Sequence, residues 1–181
     1  MKQKKYLVAA GAALAAAGIA YIILRSKKTL PSGFNAITGF NKEKYMGKWY
    51  EIARLDYYWE RGLYNVTAEY SLNKNGSVKV VNTGYDFKSN KRKISTGKAK
   101  FVSDEATGQL KVSFFGPFYS GYNIIAIDKA YKYALVAGHN LNYLWLLSRE
   151  KTMPENITSE YLFIAQTAGF PIEDLVWTRQ S

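Results

Sequence analysis

Few residues in this chain are of types that do covalent chemistry. His139 is the single histidine and there is no cysteine, so thiol catalysis, Cys-ligated zinc and disulfides are excluded. No Gly-x-Ser-x-Gly elbow, His-Glu-x-x-His pair or phosphate-cradling glycine motif occurs. His139 falls on a predicted loop, where a lone imidazole is usually solvated and where haem ligation would lack a deep pocket. The sequence therefore offers no catalytic set, no metal site and no cofactor site. The reading it supports is a non-enzyme whose chemistry is recognition.

The residues best spaced for recognition are aromatic and cationic. Gly47-Lys48-Trp49 opens the run Trp-Tyr-Glu-Ile-Ala-Arg, and a hundred residues later the chain offers Trp145-Leu-Leu-Ser-Arg149. Glycine lets the backbone turn tightly into a strand. A Trp at a strand mouth can plug one end of a small barrel, and an Arg stacked on the indole contributes ~0.5–2 kcal/mol. Taken alone, the same residues read equally well as an ordinary buried Trp and a surface Arg.

Positioning such residues requires strands. Beyond residue 40 the chain alternates apolar and polar residues in short runs, with turn signals every eight to twelve residues, the rhythm of an all-β sandwich or barrel. Strands are predicted at 49–54, 66–72, 77–85, 94–102, 110–114, 122–128, 133–138 and 143–149, all joined by short connections. A sequential antiparallel meander of eight closes into an up-and-down barrel just wide enough for one small ligand. Pro154 ends the meander. Residues 159–168 carry apolar side chains at helical spacing and stop at Gly169 and Pro171, giving one amphipathic helix packed outside the barrel, followed by a short strand at 175–177.

The N-terminus has a different composition. Lys2, Lys4 and Lys5 precede nineteen uncharged residues, Tyr6 to Leu24, followed by Arg25, Lys27 and Lys28. The expected organisation is a signal or membrane-anchor segment over 1–28, a polar linker over 29–39 and a barrel domain over 40–181. The length of the apolar run favours a retained anchor, whereas its eight alanines and the small residues Gly18 and Ala20 before Tyr21 leave signal cleavage open. The net charge of +11 does not indicate nucleic acid. Six of the 25 basic residues and none of the 14 acidic ones flank the apolar run, which leaves +5 spread thinly over the remainder. Forty-eight per cent apolar residues are ample for a core, and fifteen tyrosines suit walls that hold an amphipathic molecule.

Gly47-Lys48-Trp49 on the first strand, the turn from Asp128 to Tyr133 and Trp145-Leu-Leu-Ser-Arg149 on the eighth reproduce, in order, the three signature regions of the lipocalin family. The chain resembles most closely the bacterial lipocalins of the outer-membrane type, relatives of apolipoprotein D, through Tyr50-Glu-Ile-Ala-Arg54, Glu60-Arg-Gly62, Lys111-Val-Ser-Phe-Phe-Gly-Pro-Phe-Tyr119 and Tyr133-Ala-Leu-Val136. The resemblance implies an eight-stranded calyx carrying a fatty acid, lysophospholipid or similar lipid at the cell envelope, with Gly47, Trp49, Asp128 and Arg149 as its structural floor. Lipocalins of this type are commonly tethered through a lipid-modified Cys. With no Cys here, the expectation is an exported protein held by residues 6–24 or released after cleavage, not a Cys-linked lipoprotein.

With Trp49 at the closed end, strand parity assigns the loops at 56–62, 87–93, 116–121 and 138–142 to the mouth. They carry Tyr57, Tyr58, Trp59, Phe118 and Tyr119, an aromatic rim that serves as a self-packed lid, a ligand gate, or a surface for a membrane or partner. Side chains two apart share a face, so Val66, Ala68, Tyr70 and Leu72 are expected inside with Tyr143, Trp145 and Leu147. Tyr64, Tyr122, Ile124, Ala126, Ala134 and Val136 are assigned to the same wall. Arg61, Lys88, Lys91 and His139 are candidate contacts for an anionic head group. Each buried methylene contributes ~0.8 kcal/mol, so a chain of about twelve would supply about 10 kcal/mol before ordering costs.

Overall fold

The computed structural model describes residues 30–31, 33–58 and 60–181. The expected segment at 1–28 and the rim residue Trp59 lie outside them.

Among the described residues, a one-turn helix α1 (Lys42–Tyr45) leads into strands β1 (Gly47–Leu55), β2 (Leu63–Leu72), β3 (Val78–Asp86), β4 (Arg92–Phe101), β5 (Gln109–Phe115), β6 (Phe118–Ile127), β7 (Tyr133–Ala137) and β8 (Leu144–Ser148). Helix α2 (Glu155–Thr167), a 3₁₀ turn (Ile172–Asp174) and β9 (Leu175–Trp177) complete the chain. Every strand pairs antiparallel with its neighbour, and β1 pairs with both β8 and β2, which closes an eight-stranded barrel. The first half of β1 pairs with β2 from Gly47 to Tyr50, and its second half pairs with β9 from Ala53 to Leu55. The Gln180 side chain bridges the gap between β1 and β2 by donating to the carbonyls of Glu51 and Val66 at 2.8 and 2.9 Å.

Two apolar layers follow from this arrangement. The inner one gathers Trp49, Tyr70, Val78, Val80, Leu110, Ile124 and Val136 inside the barrel. The outer one packs Ile52, Leu135, Leu144 and Leu146 against Tyr161 and Ala165 of α2. The helix begins four residues earlier than its apolar spacing indicates, because Pro154 sits at its cap and Glu155 occupies its first turn. Residues in the region read as a linker pack on the barrel: Ala36 is buried, Phe34 meets Phe170 edge-on at 5.5 Å, and Ile37 exchanges backbone bonds with Ile124 and Gly108.

Three of the four register shifts in the barrel bear on the expected wall, and parity counting does not see them. Asn65 adopts a left-handed conformation (φ 49°) at a register shift between Tyr64 and Thr67. Leu63 and Val66, three apart, therefore share the inner face, and Tyr64 is turned out. A second shift between Glu51 and Ala53 places Glu51 and Arg54 together. A third, between Ile124 and Ala126, moves Ala126 from its expected lumen position to the α2 side of the barrel.

Candidate functional site

The closed end is built around one guanidinium. The Cζ of Arg149 lies 3.9 Å from the centroid of the Trp49 ring, and Trp49 is fully buried. Arg149 donates to the carbonyls of Lys44, Met46 and Lys48 at 2.8 Å each, Tyr45 at 3.0 Å and Tyr131 at 3.3 Å. These include the last carbonyls of α1, which no following turn can satisfy. Trp49 Nε1 also donates to Tyr45 O at 2.8 Å. Gly47 enters β1 at φ 94°, a left-handed conformation that favours glycine, with Arg149 Nη1 in van der Waals reach of the position a Cβ would take. Asp128 organises the adjoining turn by accepting from the backbone N–H groups of Ala130, Lys132 and Tyr133. The four expected floor residues thus meet at one end of the barrel. Arg149→Ala is expected to lower stability by about 1–3 kcal/mol through lost stacking and orphaned carbonyls, read in denaturant unfolding. Arg149→Lys should not restore it, because an ammonium has fewer donors than these carbonyls need and no planar face to stack on Trp49.

Above the floor lies a cavity of about 620 Å³, within the range of small-molecule sites. Val66, Ala68, Tyr70, Val80, Ala99, Leu110, Val112 and Leu147 give it an apolar wall. Tyr119, Tyr122, Tyr143 and Trp145, all expected at the site, line it as well. Ile124 and Val136 face inward but lie fully buried in the packed part of the barrel, off the cavity surface. Ala134 is packed in the same cluster. Tyr64 lies outside the cavity, packed beside Tyr85 and Phe87 and bonded to Asn90, because of the bulge at Asn65. Leu72 ends β2 and is exposed, since the strand runs past the barrel end. His139 is an exposed rim residue within 2.9 Å of Ser120 Oγ and 5.3 Å from the Tyr143 ring, and it does not line the cavity.

The cavity opens among Tyr57, Phe115, Phe118 and Tyr119, with Tyr58 exposed beside Tyr57 and Phe87 exposed on the β3–β4 connection. The predicted rim is therefore aromatic. Of the candidate head-group cations, Arg61 is held by Asp56 at 2.8 Å, while Lys88 and Lys91 are exposed. Lys93, absent from the expected set, reaches the cavity wall and bonds Asp86 at 3.0 Å.

Sequence reasoning also missed a buried charge cluster in the wall. Arg54, 1% exposed, donates to Glu51 Oε1 at 2.6 Å and to the Glu60 carbonyl at 2.7 Å. Thr178 Oγ1 donates to Glu51 Oε1 at 2.5 Å, and Trp145 Nε1 donates to Glu60 Oε2 at 3.1 Å. Glu51 and Glu60 both line the cavity. Burial, reinforced by the negative charge of Glu51, pushes the Glu60 carboxyl up to about 8 from its ordinary 4.5. The unfolded chain releases this proton near pH 4.5 and the folded protein only near pH 8, so Glu60 makes stability fall as pH rises between those values. Glu60→Gln should flatten that slope and raise the melting temperature more at pH 8 than at pH 5, which a pair of thermal melts would check.

Residues 40–180 match the family model described as a lipocalin-like domain. The chain is 44% identical over 168 residues to the outer membrane lipoprotein Blc of Escherichia coli K12, covering 92% of this chain and 95% of that one. It is 41% identical over 160 residues to the Vibrio cholerae protein of the same name, covering 88% and 94%. It is 29% identical to apolipoprotein D of Mus musculus, covering 78% of each. Insecticyanin from the tobacco hornworm Manduca sexta superposes with a TM-score of 0.67 at 17% identity, over 84% of this chain and 86% of that one, a likeness of fold alone. A closed eight-stranded calyx, a Trp–Arg floor and a family model spanning almost the whole described domain together make this chain a member of the lipocalin family.

Proposed function

We propose that this protein is a carrier rather than an enzyme, and that it holds one single-chain lipid, a fatty acid or lysophospholipid, in the barrel cavity for storage or transport at the cell envelope. The observation that carries this reading is the cavity itself, a deep apolar chamber shut at one end by Trp49 and Arg149 and open at the other through an aromatic rim. Its apolar lining suits an acyl chain. A lysophospholipid would leave its phosphate at the rim near Lys88, Lys91 and Lys93. The relatives named as outer membrane lipoproteins support an envelope location. In our reading residues 6–24 supply the tether or export signal and 40–181 form the barrel domain, onto which Phe34, Ala36 and Ile37 pack, without a Cys-linked lipid. Lipid extraction and mass spectrometry of the purified full-length protein should recover about one single-chain lipid per chain. Recovery of none, with no uptake of added fatty acid, would instead favour the second reading, an interaction module working through exposed Tyr58, Phe87, Phe115 and Phe118.

A further inference from the structure

The blind end of the cavity finishes on three tyrosine hydroxyls. Tyr45 Oη lies 2.6 Å from Tyr122 Oη, and Tyr70 Oη lies 2.7 Å from the same atom. Tyr45 ends α1, Tyr70 belongs to β2 and Tyr122 to β6, so three separate elements bring the hydroxyls together, and all three residues line the cavity. Burial holds each phenol well above its ordinary value, so all three remain proton donors.

A phenol has one proton to donate. Three hydroxyls joined in an open chain make two hydrogen bonds, which use two protons whichever way the chain is polarised. One O–H is left over, and among the described residues these hydroxyls have no further hydrogen-bond partner. The neighbouring wall, Phe40, Met46, Val78 and Leu147, offers no side-chain oxygen. A donor left unsatisfied in such surroundings is costly, and an incoming acceptor relieves that cost. The buried charged groups of the wall are engaged with one another. Glu51 and Glu60 line the cavity, and Arg54 is already committed to Glu51 and to the Glu60 carbonyl. A carboxylate left there would find the guanidinium taken.

We propose that the Tyr45–Tyr122–Tyr70 chain is an acceptor-recognising subsite at the closed end of the calyx, and that it takes a single-chain lipid inserted with its oxygen-bearing end first, a free fatty acid being the simplest. This rests on the reading of the cavity as a lipid site. It reverses the orientation expected of a lysophospholipid, whose head group would stay at the rim.

Counting protons makes the variants behave unlike a simple loss of contacts. Tyr122→Phe removes the central hydroxyl and leaves Tyr45 and Tyr70 with two unspent protons. The triple Phe variant at positions 45, 70 and 122 leaves none. It removes donors and acceptors together while keeping the ring shapes, which is the least disruptive way to delete a buried polar cluster.

The test is titration calorimetry on the full-length protein in amphipol with two probes, decanoic acid and decyltrimethylammonium, the second of which has no acceptor. We expect the triple variant to lose at least tenfold in affinity for decanoic acid and to stay within twofold for the ammonium probe. Tyr122→Phe should hold decanoic acid within threefold of wild type or bind it more tightly. Equal losses for both probes, an unchanged decanoic acid affinity in the triple variant, or wild-type binding of the ammonium probe alone would overturn the subsite and leave the carrier reading standing. Binding of neither probe to wild type would overturn both. Filtered NOEs from the C2 protons of [2-13C]decanoic acid give an answer without any variant. Contacts with the Tyr70 and Tyr122 rings are expected, and contacts with Tyr57 or Phe118 at the rim would overturn the proposal.

Discussion

Arg54→Ala is expected to lower the unfolding free energy by about 3–5 kcal/mol. Arg54 is 1% exposed, and its guanidinium binds Glu51, Thr178 and the Glu60 carbonyl. Truncation would leave Glu51 buried beside Glu60 with no opposing charge, in a medium where an unpaired carboxylate is far more costly than a lost contact. The loss comes from the stranded partner and not from the intrinsic worth of the pair. A double variant, Arg54→Met with Glu51→Gln, should therefore recover most of the stability, since replacing both members of a buried pair is often close to neutral. Denaturant unfolding of the two variants checks this. A double variant as unstable as Arg54→Ala would show that shape, and not charge, is what the cluster supplies.

Ala68→Trp is expected to weaken binding of long-chain lipid by roughly 100-fold with little loss of stability. Ala68 pairs with Trp49 across β1 and β2 and lines the cavity near its closed end. An indole there would occupy the space of about four methylenes, each worth ~0.8 kcal/mol, and about 1.4 kcal/mol is a tenfold change. The variant should discriminate by length, rejecting a sixteen-carbon fatty acid while retaining an eight-carbon one. Equal losses for both would indicate distortion of the whole barrel, and no loss for either would place the ligand elsewhere.

The architecture was legible in the sequence because it depends on local signals. Alternation, turn residues and the order of Gly47, Trp49, Asp128 and Arg149 located eight strands and the closed end, and the floor geometry follows from them. The lumen wall was legible where alternation runs without a break, as for Val66, Ala68 and Tyr70 after the bulge in β2 or for Trp145 and Leu147 in β8. Two misplaced wall residues lie at a bulge, where one extra residue exchanges inside for outside, and Leu72 lies where β2 outruns the barrel. Tyr64 was turned out by the left-handed Asn65, and Ala126 by the shift after Ile124. The buried Glu51, Arg54 and Glu60 cluster has the same origin. Residues three apart on a strand normally face opposite ways, so a motif containing Glu51 and Arg54 gave no sign that they form a pair until the bulge at Ile52 brought them to one side. The tyrosine chain was hidden for another reason. Tyr45, Tyr70 and Tyr122 lie on three elements far apart in sequence, and only closure of the barrel makes them neighbours.

Closure also provides the most direct test of the central claim, that one single-chain lipid lies inside the calyx. Full-length protein titrated with a fluorescent fatty acid should show saturable enhancement at one molecule per chain, displaced by unlabelled fatty acid and abolished for long chains by Ala68→Trp. Enhancement that fails to saturate, or that survives unchanged when the lumen is filled, would contradict it.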